Sequence, residues 1–212
     1  STLGYGISIV AGSNNNITNT NISNSETNDV VLSGVYSTNN IFLNTSYSTE
    51  SVASGSDLTR KWYYTAYVND TSGNIVSGAN ITAYNSSSNY QFNLTTGSDG
   101  ITTSSAQIID YVNTGGTKTY YSLYNIYAGN SSYPTMLNTW NATAQQNTRQ
   151  TITLDNVYPL ISIVYPTNIT YGINVSAINY TYTESNCDKV WYSLNSGVSN
   201  STPVSCGTNF TS

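Results

Sequence analysis

The sequence predicts an all-β chain: coils of a β-solenoid at the amino end, followed by two β-sandwich units. Three observations lead there. Short alternating runs of β-branched residues, together with 20 Tyr, recur between Asn, Gly and Ser clusters, which is how strands and turns read. Helix formers are scarce, whereas 32 Ser, 31 Thr and 30 Asn account for 93 of 212 residues, and their side chains compete with helical hydrogen bonds. No long helix is expected. A loose internal repeat also fills the first quarter of the chain. The aromatic and β-branched content separates this polar chain from a disordered one.

The repeat covers residues 1–52. "GISIV" at 6–10 returns as "DVVLS" at 29–33, and "NNITNTNIS" at 15–23 returns as "NNIFLNTSY" at 39–47. An offset of 23 to 24 residues, with apolar strands separated by turn residues, is the pattern of stacked solenoid coils. It would turn Ile7, Ile9, Ile17, Val30, Leu32 and Ile41 inward. The repeat resembles the right-handed parallel β-helix of pectin-lyase-like proteins, including the NosD-type periplasmic and surface-protein versions. That resemblance implies asparagines stacked in ladders at the turns. Two coils cannot close a core, since about three are needed. The expectation is therefore a longer β-helix, or a partner that covers the open edge by adding a strand.

Residues 53–57, within the Ser- and Gly-rich "STESVASGSDLT", read as a linker. A second unit follows at 58–157. Its first strand, "KWYYTAYVND", places Trp62, Tyr64, Ala66 and Val68 on one face. Asp99-Gly100 and Gly115-Gly116 read as hairpin-type turns. The segment "YVNDTSGNIVSGANITAYN…TTGSDG" resembles the prealbumin-like sandwich of carboxypeptidase-regulatory and collagen-adhesin B-type modules, which serve as spacers. By that resemblance Lys61 could join Asn147 or Asn156 in an isopeptide bond. The third unit, 158–212, carries "LISIVYP", "SAINYTYTE" and "KVWYSLN", and resembles a short immunoglobulin-like sandwich of archaeal cell-surface proteins.

Charge and residue type exclude much. The net charge of -5 offers no basic patch for a phosphate backbone, so nucleic acid is not an expected partner. No apolar run of about 18 residues and no charged-then-apolar leader occurs, so no membrane span is expected in this chain. With no histidine, catalytic triads and histidine-bound metals are excluded. The coils hold only Glu26, Asp29 and Glu50, too few for the acid clusters of β-helix enzymes, and no catalytic residue is expected. Asp70, Asp99, Asp110 and Asp188 have the hard oxygens that calcium prefers, yet no loop gathers them, and turn capping is the expected role. No cofactor is expected.

Cys187 and Cys206 are the only cysteines and are expected to form a disulfide, as an oxidising outer compartment would favour. Fourteen asparagines stand in the N-glycosylation acceptor pattern: Asn16, Asn21, Asn44, Asn69, Asn80, Asn85, Asn93, Asn130, Asn141, Asn168, Asn174, Asn179, Asn200 and Asn209. Chance would supply about nine in so Ser- and Thr-rich a chain. The sequence therefore leads to an extracellular structural glycoprotein: a subunit or stalk of an archaeal surface layer, sheath or filament. Its expected partners are further copies, neighbouring surface proteins or glycans. An adhesin or carbohydrate-binding module is the alternative, because outward tyrosines stack on sugars and fill interfaces. A fragment of a polysaccharide-acting enzyme is the third reading.

Overall fold

The computed structural model describes residues 4–156, 159–184 and 187–211, and every regular element among them is a strand. The chain forms two compact units, Ser1–Asn156 and Val157–Ser212. The boundary expected at 157/158 lies outside the described residues.

The first unit opens with two parallel ladders. Strands β1 (Ile7–Val10), β3 (Val30–Ser33) and β5 (Glu50–Val52) make one; β2 (Asn16–Thr18), β4 (Asn40–Leu43) and the start of β6 (Asp57–Asp70) make the other. Ile7 lies opposite Val30 and Asn16 opposite Ile41, offsets of 23 and 25 residues. On the next rung the offsets fall to 20 and 18, with Val30 opposite Glu50 and Asn40 opposite Leu58. The connections shorten as the stack approaches the rest of the unit.

Val30, Leu32, Phe42, Leu58 and Tyr111 fill the space between the ladders, and Ile7, Ile9 and Ile17 pack against them. One expected core residue is corrected. An offset of 24 would have put Ile41 beside Ile17, but the true offset places Phe42 opposite Ile17. Phe42 is fully buried and Ile41 is not, because a shift of one residue turns a strand over.

The linker expected at 53–57 is corrected as well. Residues 53–56 form the turn from β5 into β6, and Ser56 is buried, with its hydroxyl donating to the Gly34 carbonyl and accepting from the Ser37 N–H. The flanking segments are the third rung. The Ser-Gly composition suggested freedom, whereas in the fold it serves a tight corner.

From this rung β6 continues without a break. Its Trp62, Tyr64, Ala66 and Val68 share one buried face, as the alternation predicts. Around it assemble β9 (Ala106–Thr114), antiparallel to β6, with β10 (Thr117–Tyr120) beyond, and β13 (Arg149–Leu154), parallel to Thr65–Asp70 of β6. An opposing antiparallel sheet has the order β12 (Met136–Trp140), β11 (Tyr124–Gly129), β7 (Asn80–Tyr84), β8 (Tyr90–Thr95). The two sheets enclose a core of Tyr64, Ile81, Ile108, Tyr124, Ile126, Ile152 and Leu154, giving a sandwich-like layer pair. Gly115 and Gly116, both at positive φ, close the β9–β10 hairpin in two residues, a geometry that glycine adopts without steric penalty.

The second unit is sparser. Strands β14 (Leu160–Tyr165), β15 (Ala177–Thr183) and β18 (Phe210–Thr211) form one sheet; β16 (Lys189–Val190) and β17 (Val204–Ser205) form a short hairpin. Of the expected strand at 189–195 only the first two residues pair. The Cys187–Cys206 disulfide flanks that hairpin.

Candidate functional site

Three places in the first unit concentrate its unusual chemistry. The first is an asparagine seam along the parallel ladders. Asn39 donates to Asn14 (2.7 Å), Asn44 to Asn19 (2.8 Å), and Asn15 to Asn40 (2.9 Å), each pair 25 residues apart. Asn14 and Asn39, like Asn19 and Asn44, also occupy left-handed corners (φ 50 to 62°), which asparagine tolerates better than other side chains. The asparagines thus turn the chain and bond one rung to the next. At its end the seam meets Asn147: its Nδ2 donates to Asn44 Oδ1, and its Oδ1 accepts the Tyr63 N–H. Asn147 stands where β4 has ended and β13 has not begun, supplying the ladder contact that β6 would otherwise lack on that edge. Its amide is thereby engaged at both ends, away from the isopeptide role that Lys61 suggested.

The second place is a charge cluster where the ladders pass into the sandwich, with the Glu50, Arg60 and Asp110 side chains withdrawn from solvent and Lys118 at the surface. It uses four of the chain's 15 charged residues. Glu50 accepts from Tyr111 Oη (2.7 Å) and Asn113 Nδ2 (2.7 Å) and pairs with Lys118 Nζ (2.9 Å). Burial alone would raise the Glu50 carboxyl, but the hydrogen bonds from Tyr111, Asn113 and Lys118 hold it below the usual range. The Tyr47 hydroxyl, bonded to Tyr111 at 2.9 Å, is pushed well above its ordinary value by burial and by the neighbouring Tyr111 and Glu50. The Arg60 guanidinium lies 4.5 Å over Trp62 and 5.1 Å over Tyr47, and pairs with Asp110 at 3.5 Å. Asp110 also accepts from Trp62 Nε1 (3.2 Å) and Thr143 Oγ1 (2.6 Å).

Asp110 was expected to cap a turn; it is instead fully buried in this cluster, and that is a correction. Asp70 and Asp99 do cap turns, accepting the N–H groups of Ser72 and Asn74 and of Ile101. Asp188 has its backbone carbonyl bonded to Cys206 N. Among the described residues no group of three His, Cys, Asp or Glu comes together to hold a metal.

The third place is the outer face of the β12-β11-β7-β8 sheet. There Thr82, Tyr84, Ser88, Asn125 and Tyr127 line an open groove of about 420 Å³. Tyr84 meets Tyr127 edge to face at 5.8 Å and Tyr90 at 6.1 Å.

The glycosylation candidates separate by reach of the amide nitrogen. Asn16, Asn80, Asn168, Asn174, Asn200 and Asn209 are exposed. Asn21, Asn69 and Asn141 accept hydrogen bonds through their amide oxygens, Asn93 donates its amide nitrogen to Thr82 Oγ1 while its residue stays exposed, and Asn179 is half-buried. Asn44 and Asn130 commit their amide nitrogens, to Asn19 and to the Ser77 carbonyl. Asn85 is buried and caps its own turn through the N–H groups of Ser87 and Asn89.

No family model and no curated protein matches the chain. Solved structures with some likeness include chlorocatechol 1,2-dioxygenase from Pseudomonas putida, at 9% identity and TM-score 0.31, with 46% of this chain and 60% of that one covered. Wild-type catechol 1,2-dioxygenase from Acinetobacter radioresistens gives 13% and 0.29, covering 45% and 51%. A DUF3823 family protein from Parabacteroides merdae gives 17% and 0.31, covering 57% and 56%. The chain spans between half and three-fifths of their lengths. Likeness at this level assigns neither family nor activity.

Proposed function

We propose that this chain is a structural module of an extracellular assembly: a subunit or stalk in a surface layer, sheath or filament of the archaeal type its sequence resembles. On this reading the two parallel ladders are coils of a β-helix, the rest of the first unit is a prealbumin-like spacer, and the second unit is a short immunoglobulin-like module. One observation carries the proposal. The unbroken strand β6 belongs to both the ladder stack and the sandwich, and Asn147 accepts the Tyr63 N–H in the stretch between the β4 and β13 pairings. A strand shared by both parts joins them without a hinge, which suits a load-bearing or space-filling role.

The disulfide suits an oxidising exterior, and the exposed acceptors Asn16, Asn80, Asn168, Asn174, Asn200 and Asn209 suit a glycan coat. Among the described residues no helix is long and apolar enough to cross a membrane.

Electron microscopy of material taken from the native surface, with glycopeptide mass spectrometry of the same sample, tests the proposal. A regular filament or lattice containing this chain, glycosylated at exposed acceptors, is the expected result. Dispersed particles from an intracellular fraction would overturn it.

A further inference from the structure

We infer that the outer face of the β12-β11-β7-β8 sheet holds a binding groove for a neutral saccharide, formed by Tyr84, Tyr127, Asn125, Thr82 and Ser88. The groove follows from strand pairing. Thr82 lies opposite Tyr127, and Tyr84 opposite Asn125, on the adjacent strands β7 and β11, so the four side chains share one outward face. Tyr90, opposite Tyr84 on β8, extends it.

The rings stand nearly perpendicular to one another, 85° between Tyr84 and Tyr127 and 75° between Tyr84 and Tyr90, so the groove has both a floor and walls of aromatic surface. Tyr127 is 36% exposed and Tyr90 58%. These rings are therefore surplus to the core, which is filled from the opposite face by Ile81, Ala83 and Ile126.

The groove's polar groups point to the ligand. No charged residue lines it. A phosphate or carboxylate ligand would lack a cation, and an amine would lack a carboxylate. What the groove offers is a carboxamide, two aliphatic hydroxyls and tyrosine hydroxyls beside aromatic faces. The side chains of Asn125 and Ser88 make no hydrogen bond within the described chain, and Thr82 Oγ1 accepts from Asn93 Nδ2 (3.0 Å), leaving its own proton to donate. A pyranose ring has the matching chemistry: an apolar C–H face to lie on a ring and neutral hydroxyls around its rim. The volume, about 420 Å³, falls within the range of small-molecule clefts, roughly 300–1,000 Å³.

Asn80 and Asn93 stand on the same outward face and are both acceptor-pattern asparagines. The saccharide is thus either free or borne on this chain.

Calorimetric titration of the full 212-residue chain, produced without glycosylation, decides the matter. The probes are cellohexaose, mannohexaose and chitohexaose, with hexagalacturonate as the acidic control. The expected result is binding of at least one neutral hexamer and none of the acidic one. Tyr127→Ala should weaken it about tenfold, the loss of one aromatic contact, and Asn125→Ala by a smaller factor. Circular dichroism should be unchanged, because both side chains lie outside the core. Repeating the titration on native glycosylated chain separates the sources: binding that appears only after enzymatic removal of the glycan means that the chain's own glycan occupies the groove. The inference is overturned if no neutral hexamer binds the unglycosylated chain at millimolar concentration, or if Tyr127→Ala binds as the parent does. It is equally overturned if that substitution changes the solution mass of the protein, which would make this face an interface between copies.

Discussion

The two units share a composition but hold themselves together differently. In Ser1–Asn156 the apolar side chains face inward in two clusters, and the side chains of Glu50, Arg60 and Asp110 are drawn in with them, with Lys118 reaching Glu50 from the surface. In Val157–Ser212 the single buried apolar side chain among the described residues is Val190, while Leu160 is 69% and Leu194 87% exposed. Strand β14 is open along both of its faces. What that unit has instead is a covalent bridge and a set of ring contacts among Tyr180, Tyr182, Tyr192 and Phe210. A chain with few leucines can fold either by gathering its apolar surface or by constraining its unfolded state, and here both routes are taken in one polypeptide.

The sharpest way to break the contrast is a core truncation. Phe42→Ala should lower the stability of the first unit by about 3–5 kcal/mol, read from urea unfolding, while Ile41→Ala, one residue away on the half-buried side, should change it by less than about 1 kcal/mol. Equal effects would mean that the register of β2 and β4 is wrong. Next comes the bridge. Reducing the disulfide, or Cys187→Ser, removes about 3 kcal/mol of loop constraint, which the second unit has no core to replace. Limited proteolysis should then cut within 159–211 and spare the first unit.

Asn147→Ala should cost the first unit about 0.5–1.5 kcal/mol, since it removes the Tyr63 N–H's acceptor at a site that water can reach. Hydrogen exchange at that amide, accelerated while the distant β7–β11 amides stay protected, would localise the effect. The mildest perturbation is acid. Asp29, bonded by the Ser48 N–H, and Asp70, bonded by Asn74, have carboxyls held below the usual range, as does Glu50. A depressed folded-state value means stability that is present above about pH 4 and lost as the pH falls through the folded value. The midpoint of the first unit should therefore drop below about pH 4, and a flat profile would show that these hydrogen bonds contribute nothing.

Much of this was legible in the residues. Period-2 alternation alone identifies Trp62, Tyr64, Ala66 and Val68 as one buried face, and Ile7, Ile9, Val30 and Leu32 as inward positions of a repeat. The disulfide followed from having two cysteines. The register of the second repeat pair was not legible, because "NNITNT" and "NNIFLN" align equally well at 24 or 25 residues and only packing around Phe42 decides. The third rung was hidden by its Ser-Gly corner, and by sharing β6 with the next sheet. Nor could the charge cluster be seen: Glu50, Arg60, Asp110 and Lys118 are far apart in sequence and meet only when β5, β6, β9 and β10 are in place. The left-handed corners left a faint signal, the recurrence of Asn at 14, 19, 39 and 44, which reads as turn chemistry once the positive φ angles are known.

Strand β6 has a mechanical consequence. Its 14 residues span roughly 45 Å at about 3.3 Å each, and along one edge it is held first by β4 and then by β13, both parallel to it. A pull along β6 loads those hydrogen bonds in shear, so that many must break together, unlike a hairpin that unzips one pair at a time. The two-residue strands of the second unit present the opposite geometry, and there the Cys187–Cys206 bond sets how far the chain between the cysteines can extend. Under tension the chain has a stiff portion that resists and a short portion whose lengthening is capped by a covalent tether.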